Sequence, residues 1–452
     1  MLSEQTITQL NSLVEQYGES ILNVADTIWK HPETGYREWH TSAFLAERFK
    51  ELGYEPVLMD NIPGFYADID TERPGPALAV IGEMDSVICA GHPDADPDTG
   101  AVHACGHHTQ CAYLTGAAAV LRDREILGSL CGRLRFVAVP AEELIELGYR
   151  ASLREKGIIK YFGGKVEFLY RGVFDGIDAA IMIHSGNASE KSLSIDKGNN
   201  GCMAKNITYI GKAAHAGASP HKGINALYAA SLGLQAINSI RETFEDKNIT
   251  RTHPIITEGG AAVNVIPETV RMESFVRGAT AEAIVSENKK INRALAGAAL
   301  SIGARVRVRD IPGYMPLHND AYLSNLMYMT GAAILGEDRV NASDEWGAGS
   351  TDIGDLSCVM PVVQPGGGGG EGTGHGEDYR VADAKIACLD SARCIIGLVC
   401  VLLGEGGAEL YKVKEGYRPK FTSYREYFEF AGAMYTDSEL VTYNGDSASV
   451  VW

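Results

Sequence analysis

Positive charge is scarce in this sequence. Its 40 Lys and Arg face 58 Asp and Glu, leaving a formal net charge of -18 at pH 7. Nucleic acids and anionic membranes are met by a basic face that lowers the cost of approaching phosphates, so neither partner is expected. Long apolar runs are missing too. The longest near the C-terminus, CIIGLVCVLL from Cys394, falls far short of the roughly 20 residues that cross a bilayer and reads as a buried helix. The opening MLSEQTITQLNSLVEQYGES has an amphipathic pattern with acids in it. It lacks the basic start and unbroken apolar stretch of a secretory signal. Paired cysteine spacing is absent: 9 cysteines are scattered along the chain, and an odd count with no export signal reads as reduced thiols, not a disulfide framework. A cytoplasmic protein is expected, and any one of its thiols could be a ligand.

What is present is an ordinary globular composition, 45% hydrophobic over 452 residues, enough for two or three cores at about 150 residues each. Helical periodicity over 7–29 and 41–52 is followed by a strand at 77–82, a helix from about Thr109, and strands at 134–139 and 179–183. This is the rhythm of an α/β layer whose strand-end loops carry chemistry. From about Lys205 the pattern changes to strand (205–211), helix (223–244), strand (253–256), strand (270–277), helix (281–302) and strand (305–309). Such a βαββαβ unit is compact enough to be a domain of its own. The helical pattern then resumes at 322–335, so the small domain, 199–312, is expected as an insertion between 1–198 and 313–452. No internal repeat is found. The stretch PGGGGGEGTGH lacks the Lys-Ser/Thr ending of a phosphate loop and reads as a flexible approach to His375.

Five potential metal ligands fall at apparent element ends: Cys105 and His107 in HACGHH, Glu143 in VPAEE, His184 in IMIHSG and His375 in GTGHGED. Thiolate, imidazole and carboxylate together suit zinc, manganese or cobalt better than magnesium or calcium, which prefer oxygen. A single histidine at a strand end is more often structural, and adjacent acids are more often a solvated turn. Glu142 and Glu143, straight after a strand, can nevertheless point in different directions, so that one binds metal while the other stays beside the water. The joint order of the five favours the chemical reading.

The segments HACGHH, VPAEE, HSG, GKAAHAGASPHKGINAL and VNVIP, in this order, resemble the amidohydrolase branch of the metallopeptidase family that contains aminoacylases, carboxypeptidase G, plant auxin-conjugate hydrolases and aminobenzoyl-glutamate hydrolase. The similarity runs from about Trp29 to Gly404. It implies an α/β, mixed-sheet catalytic domain holding two divalent ions, and an inserted ferredoxin-like lid that also makes a homodimer. Cys105, His107, Glu143, His184 and His375 match the ligands of the branch, and Glu142 its acid/base. Asp85 in GEMDSV matches the acid that supports a metal-bound group, while His215, Asn264 and Arg277 match lid positions that reach the substrate, partly from the partner subunit. Three departures stand out: His108 replaces the usual Asp after CGH, Glu83-Met84-Asp85 replaces the usual DxD, and about 45 residues after Leu403 form an added tail rich in Tyr and Phe. The His108 imidazole could alter metal preference or the hydrogen bonds behind the ligands. The tail could pack over the lid, line the entrance or cap a helix layer.

A divalent cation can lower the pKa of water to roughly 7 and polarise a carbonyl. Glu142 would take the water's proton and later give it to the leaving nitrogen. His215 and Asn264 would face the developing oxyanion, although Asn264 also reads as a turn former. Arg277 offers a bidentate fork for a substrate carboxylate, or is an exposed lid charge. The reading is hydrolysis of N-acyl or N-aroyl amino acids, aminobenzoyl-glutamate-like conjugates included. The alternative is a dipeptidase, which needs an acid for the free amine; Asp94, Asp96 and Asp98 could supply one or merely solvate their loop. A silent metal-binding or scaffold protein is the remote third reading.

Overall fold

The computed structural model describes residues 2–186 and 191–452. Contacts divide the chain into two compact units. The first is Met1–Gly198, His318–Trp346 and Asp355–Lys420; the second is Asn199–Leu317, Gly347–Gly354 and Phe421–Trp452.

The first unit is built on a six-stranded mixed sheet in the order Val57–Leu58, Phe65–Asp70, Arg133–Val139, Ala77–Glu83, Ala179–Ile181, Val362–Val363. The last four run parallel and the first two antiparallel. Ala77–Glu83 is buried at every position, as expected of a central parallel strand covered on both faces. Against it packs the helix His107–Val120, all of whose residues are buried, which explains its lack of an amphipathic stripe. Gly18–Trp29 and Ser391–Leu403 pack on that helix in turn. The apolar run from Cys394 thus lies in the core, within a helical stretch, Lys385–Leu403, whose apolar window is mostly buried. The single helix expected over 7–29 is two, Glu4–Gln16 and Gly18–Trp29, separated at Tyr17 just before Gly18, a residue that weakens helix interiors.

The second unit is an antiparallel sheet with the expected βαββαβ core. Thr269–Gly278 and Arg305–Tyr314 flank Gly201–Ile210, with Ile255–Glu258 beside Thr269–Gly278. The helices Ala226–Ile240 and Ala281–Ser301 pack on one another and on this sheet; each is capped by a side chain, Asn225 and Thr280, that accepts from first-turn N–H groups. Beneath them the buried Lys205 ammonium donates to Asn288 and Asn292 at 2.7 and 2.6 Å and pairs with Asp310. Asp310 also accepts from both amides and from Thr436, so the buried charges are paired and hydrogen-bonded.

The expected division needs correction at the C-terminus. Residues 421–452 group with the second unit, not with the catalytic segment 313–452, and the expected boundary falls inside the strand Arg305–Tyr314. Thr436–Asn444 pairs antiparallel with Arg305–Tyr314 and turns through Gly445-Asp446 into Ser447–Val450. Asp437 receives Arg307 and Arg309 at 2.7 to 3.1 Å. The tail hairpin therefore covers what would be an open sheet edge.

Candidate metal centre

The first unit delivers its polar side chains at the carboxyl ends of its parallel strands, where open α/β sheets place their crevice. Glu83 ends Ala77–Glu83, and Asp85 follows it. Glu142 and Glu143 follow Arg133–Val139, His184 follows Ala179–Ile181, and His375 comes after Val362–Val363. Cys105 and His107 arrive at the start of the buried helix, across Gly106 at φ 83°. A Cβ at Gly106 would stand 2.1 Å from Ser185 Oγ and 2.4 Å from Tyr379 Oη, so the turn that sets the thiol beside the imidazole admits only glycine.

These elements bring the five expected ligands together. Donor atoms of Cys105, His107 and His184 lie within 4.8 Å of one another, as do those of Cys105, Glu143 and His375. Cys105 is common to both triplets. Cys105 Sγ stands 3.6 Å from His184 Nε2 and His375 Nε2 2.9 Å from Glu143 Oε1. Ligands held about 2.0 to 2.3 Å from one ion lie roughly 2.9 to 3.7 Å apart, so the donor sets fit two divalent ions that share the thiolate. Glu142 lies behind, its Oε2 3.9 Å from His107 Nε2.

Asp85 orders this group from below. It is fully buried, its Oδ1 lies 3.0 Å from His107 Nδ1, and its Oδ2 accepts from the Glu143 N–H at 2.8 Å. A carboxylate on Nδ1 leaves Nε2 for a metal. The turn carrying Glu142 and Glu143 is held as well. Ala141 has φ 58°, a strained value for a side-chain-bearing residue. Its N–H donates to buried Glu38 at 2.7 Å, and its carbonyl accepts from buried Arg150, which also donates to the Glu143 and Phe162 carbonyls. His375, at φ 64°, is fixed through its N–H to the Ala104 carbonyl at 2.9 Å.

The charges are unevenly placed. Burial and the neighbouring carboxylates Glu83 and Glu143 push the Glu142 carboxyl well above the usual range. Burial opposes ionisation of Glu143 too, but His375 beside it holds that carboxyl low. The Cys105 thiol is pushed up by burial and by Glu143; a coordinated metal reverses this, since it deprotonates a thiol outright.

The remaining expected residues fall as follows. His215 and Asn264 adjoin each other in the second unit, where His215 bridges Val265 and the Ala216 N–H donates to the Asn264 carbonyl at 2.9 Å; both side chains are exposed. Arg277 lies on Thr269–Gly278 opposite Cys202 and Arg251, half-buried, with its guanidinium 5.6 Å from the Phe275 ring and a buried Nε that makes no hydrogen bond. His108 is buried edge-on to Trp29 at 4.9 Å and belongs to neither triplet; burial drives its pKa down to about 3, so it brings no charge where the resemblance led one to expect a carboxylate. Asp96 accepts from the Asp98 and Thr99 N–H groups, while Asp94 and Asp98 are exposed. The glycine run is not a loose approach: Gly366–Gly367 pairs with His184–Ser185 and Leu193–Ile195, and Gly370–Glu371 with Arg380–Val381. Gly369, at φ 92°, would bring a Cβ within 2.5 Å of the Asp383 carbonyl. Glycine here buys close backbone approach. Sequence reasoning missed Glu38, Arg150 and Lys165, and noted Glu83 only as a departure from DxD without its buried partner Lys165. An acid ending a wholly apolar strand was the one local signal.

Residues 79–391 match the family described as peptidase family M20/M25/M40. The chain is 27% identical over 339 residues to N-acetyl-L-cysteine deacetylase of Bacillus subtilis (strain 168), covering 72% of this chain and 74% of that protein. It is 29% identical over 360 residues to Xaa-Arg dipeptidase of Mus musculus, covering 78% and 77%. The crystal structure of a dinuclear metal-binding peptidase from the M20 family of Bacillus subtilis superposes with a TM-score of 0.64 at 22% identity, over 86% of this chain and 99% of that one.

Proposed function

The chain belongs to peptidase family M20/M25/M40, enzymes that hydrolyse amide bonds with bound metal, and on that footing we propose that it cleaves the amide of N-acyl or N-aroyl amino acids. The observation that carries this reading is the pair of donor triplets sharing Cys105, with Glu142 beside them and in neither. Cys105, His107 and His184 would hold one ion and Cys105, Glu143 and His375 the other, and the mixed donors favour zinc, manganese or cobalt.

Bound there, the ions would supply Lewis acidity toward the scissile carbonyl and make water a competent nucleophile near neutral pH. The rest is done by side chains of this chain. Glu142 takes the attacking water's proton and passes it to the leaving nitrogen, serving as base and then as acid. Its raised pKa suits the second task, and the charge of bound ions would suit the first by drawing it back down. Asp85 keeps His107 in one tautomer and ties it to Glu143. In the second unit, His215 and Asn264 would offer donors to the oxyanion, and Arg277 would take the substrate carboxylate as a bidentate pair. That unit would also form a homodimer. Nine free cysteines agree with a reducing, cytoplasmic setting.

A dipeptidase is the second reading, supported by the similarity to Xaa-Arg dipeptidase. It needs an acid for the substrate amine, and Asp94, Asp96 and Asp98 are poor suppliers, being exposed or engaged in their own turn. A panel of N-acetyl, N-benzoyl and aminobenzoyl amino acids beside ordinary and β-alanyl dipeptides, assayed with manganese, zinc or cobalt, decides the matter. The acyl compounds should turn over fastest. Faster cleavage of the dipeptides would replace this reading with the second.

A further inference from the structure

A sixth donor faces the same centre. Glu83 is fully buried; its Oε1 receives the equally buried ammonium of Lys165, and its Oε2 accepts from Gln110 Nε2 at 2.7 Å. The same Oε2 lies 3.1 Å from His107 Nε2 and 3.9 Å from His184 Nε2. Donor atoms of Glu83, His107 and Glu142 all lie within 4.8 Å of one another.

The contact with His107 carries the argument. His107 Nδ1 faces two acceptors, the Asp85 carbonyl and Oδ1, each at 3.0 Å, so Nε2 is the ring nitrogen turned toward Glu83. Nε2 makes no hydrogen bond even though Glu83 Oε2 is 3.1 Å away. A proton would need a near-linear N–H···O path; a cation to one side needs none. Two donors about 2.1 Å from one ion stand roughly 3.0 to 3.4 Å apart.

We propose that Glu83 is itself a metal ligand, donating Oε2 to the ion held by His107. This rests on the two-metal reading above. Each ion would then have a carboxylate, Glu83 on the His107 side matching Glu143 on the His375 side. Lys165 and Gln110 orient the Glu83 carboxylate from behind, as outer partners commonly do for ligating carboxylates. Lys165 also offsets the added negative charge, which a buried site cannot leave uncompensated.

The experiment compares the chelator-treated protein with the double variant Glu83→Gln/Lys165→Met, which removes both charges of the pair together. Manganese is titrated in and read by calorimetry and by metal content per chain. The unaltered protein should bind two ions; the double variant should keep one and bind the other at least about tenfold more weakly. Two ions bound with unaltered affinities would make Glu83 only the counter-ion of Lys165 and overturn the proposal. An unaltered protein that binds no manganese, zinc or cobalt would sink the two-metal reading itself. If the variant does not fold, anomalous density from manganese-soaked crystals of the unaltered protein decides. An ion about 2.0 to 2.3 Å from Glu83 Oε2 supports the ligand role, and a Glu83 touching only Lys165 and Gln110 beside occupied ions overturns it.

Discussion

Asp85 Oδ2 accepts the backbone N–H of Glu143 at 2.8 Å while Asp85 Oδ1 lies 3.0 Å from His107 Nδ1, so one buried carboxylate sets a ligand of each proposed ion. An asparagine has one oxygen and can satisfy only one of these donors; its amide would face the other. Asp85→Asn should therefore weaken metal binding by roughly 10- to 100-fold, read as a manganese titration by calorimetry. Unchanged affinity would mean that His107 is oriented by something else.

Cys105 is shared by both donor triplets, whereas Cys394 lies in the apolar core of the first unit. Cys105→Ala should lower bound metal and activity together, and Cys394→Ala should leave metal content alone. Equal metal in the two variants would make Cys105 structural.

His215 is exposed on the second unit. If it serves the active site of a partner subunit, mixing inactive Glu142→Gln chains with inactive His215→Ala chains should restore part of the activity. Verified mixed dimers that stay inactive would remove the trans role.

Arg277, half-buried on the strand Thr269–Gly278, is the residue proposed to hold the substrate carboxylate. Arg277→Met, or amidation of that carboxylate, should lower kcat/KM by at least about tenfold, near 1.4 kcal/mol. The two changes should be less than additive in combination, since each removes the same contact. Full additivity would place the carboxylate elsewhere.

The five donors that the fold brings together were legible through the order of their motifs, HACGHH, VPAEE, HSG and GTGHGED, because no one of them alone separates a ligand from a structural side chain. HACGHH needed only its glycine to be read, and the βαββαβ core announced itself through strand and helix periodicities. What escaped was long-range. The pairing of Thr436–Asn444 with Arg305–Tyr314 joins segments far apart in sequence; its local trace is the two-residue turn Gly445-Asp446, with glycine at φ 61° in the first position. Glu83 stands out in sequence only as the acid that replaces an Asp, and Lys165 not at all; the buried pair forms when the strand Ala77–Glu83 meets the helix Gly164–Tyr170. Glu38 and Arg150 escaped for the same reason, since they act on the backbone of a turn that lies far from Glu38 in sequence.

Glu142 is proposed to move the proton and to hold no metal, and Glu142→Gln separates these two roles. The amide can neither accept the water's proton nor deliver one to the leaving nitrogen, yet it keeps the shape of the side chain. Metal content and turnover of an N-acyl amino acid should be measured on the same preparation. Two ions per chain and nearly complete loss of turnover are expected; a fully metallated variant that still turns over substrate would show that another group carries the proton.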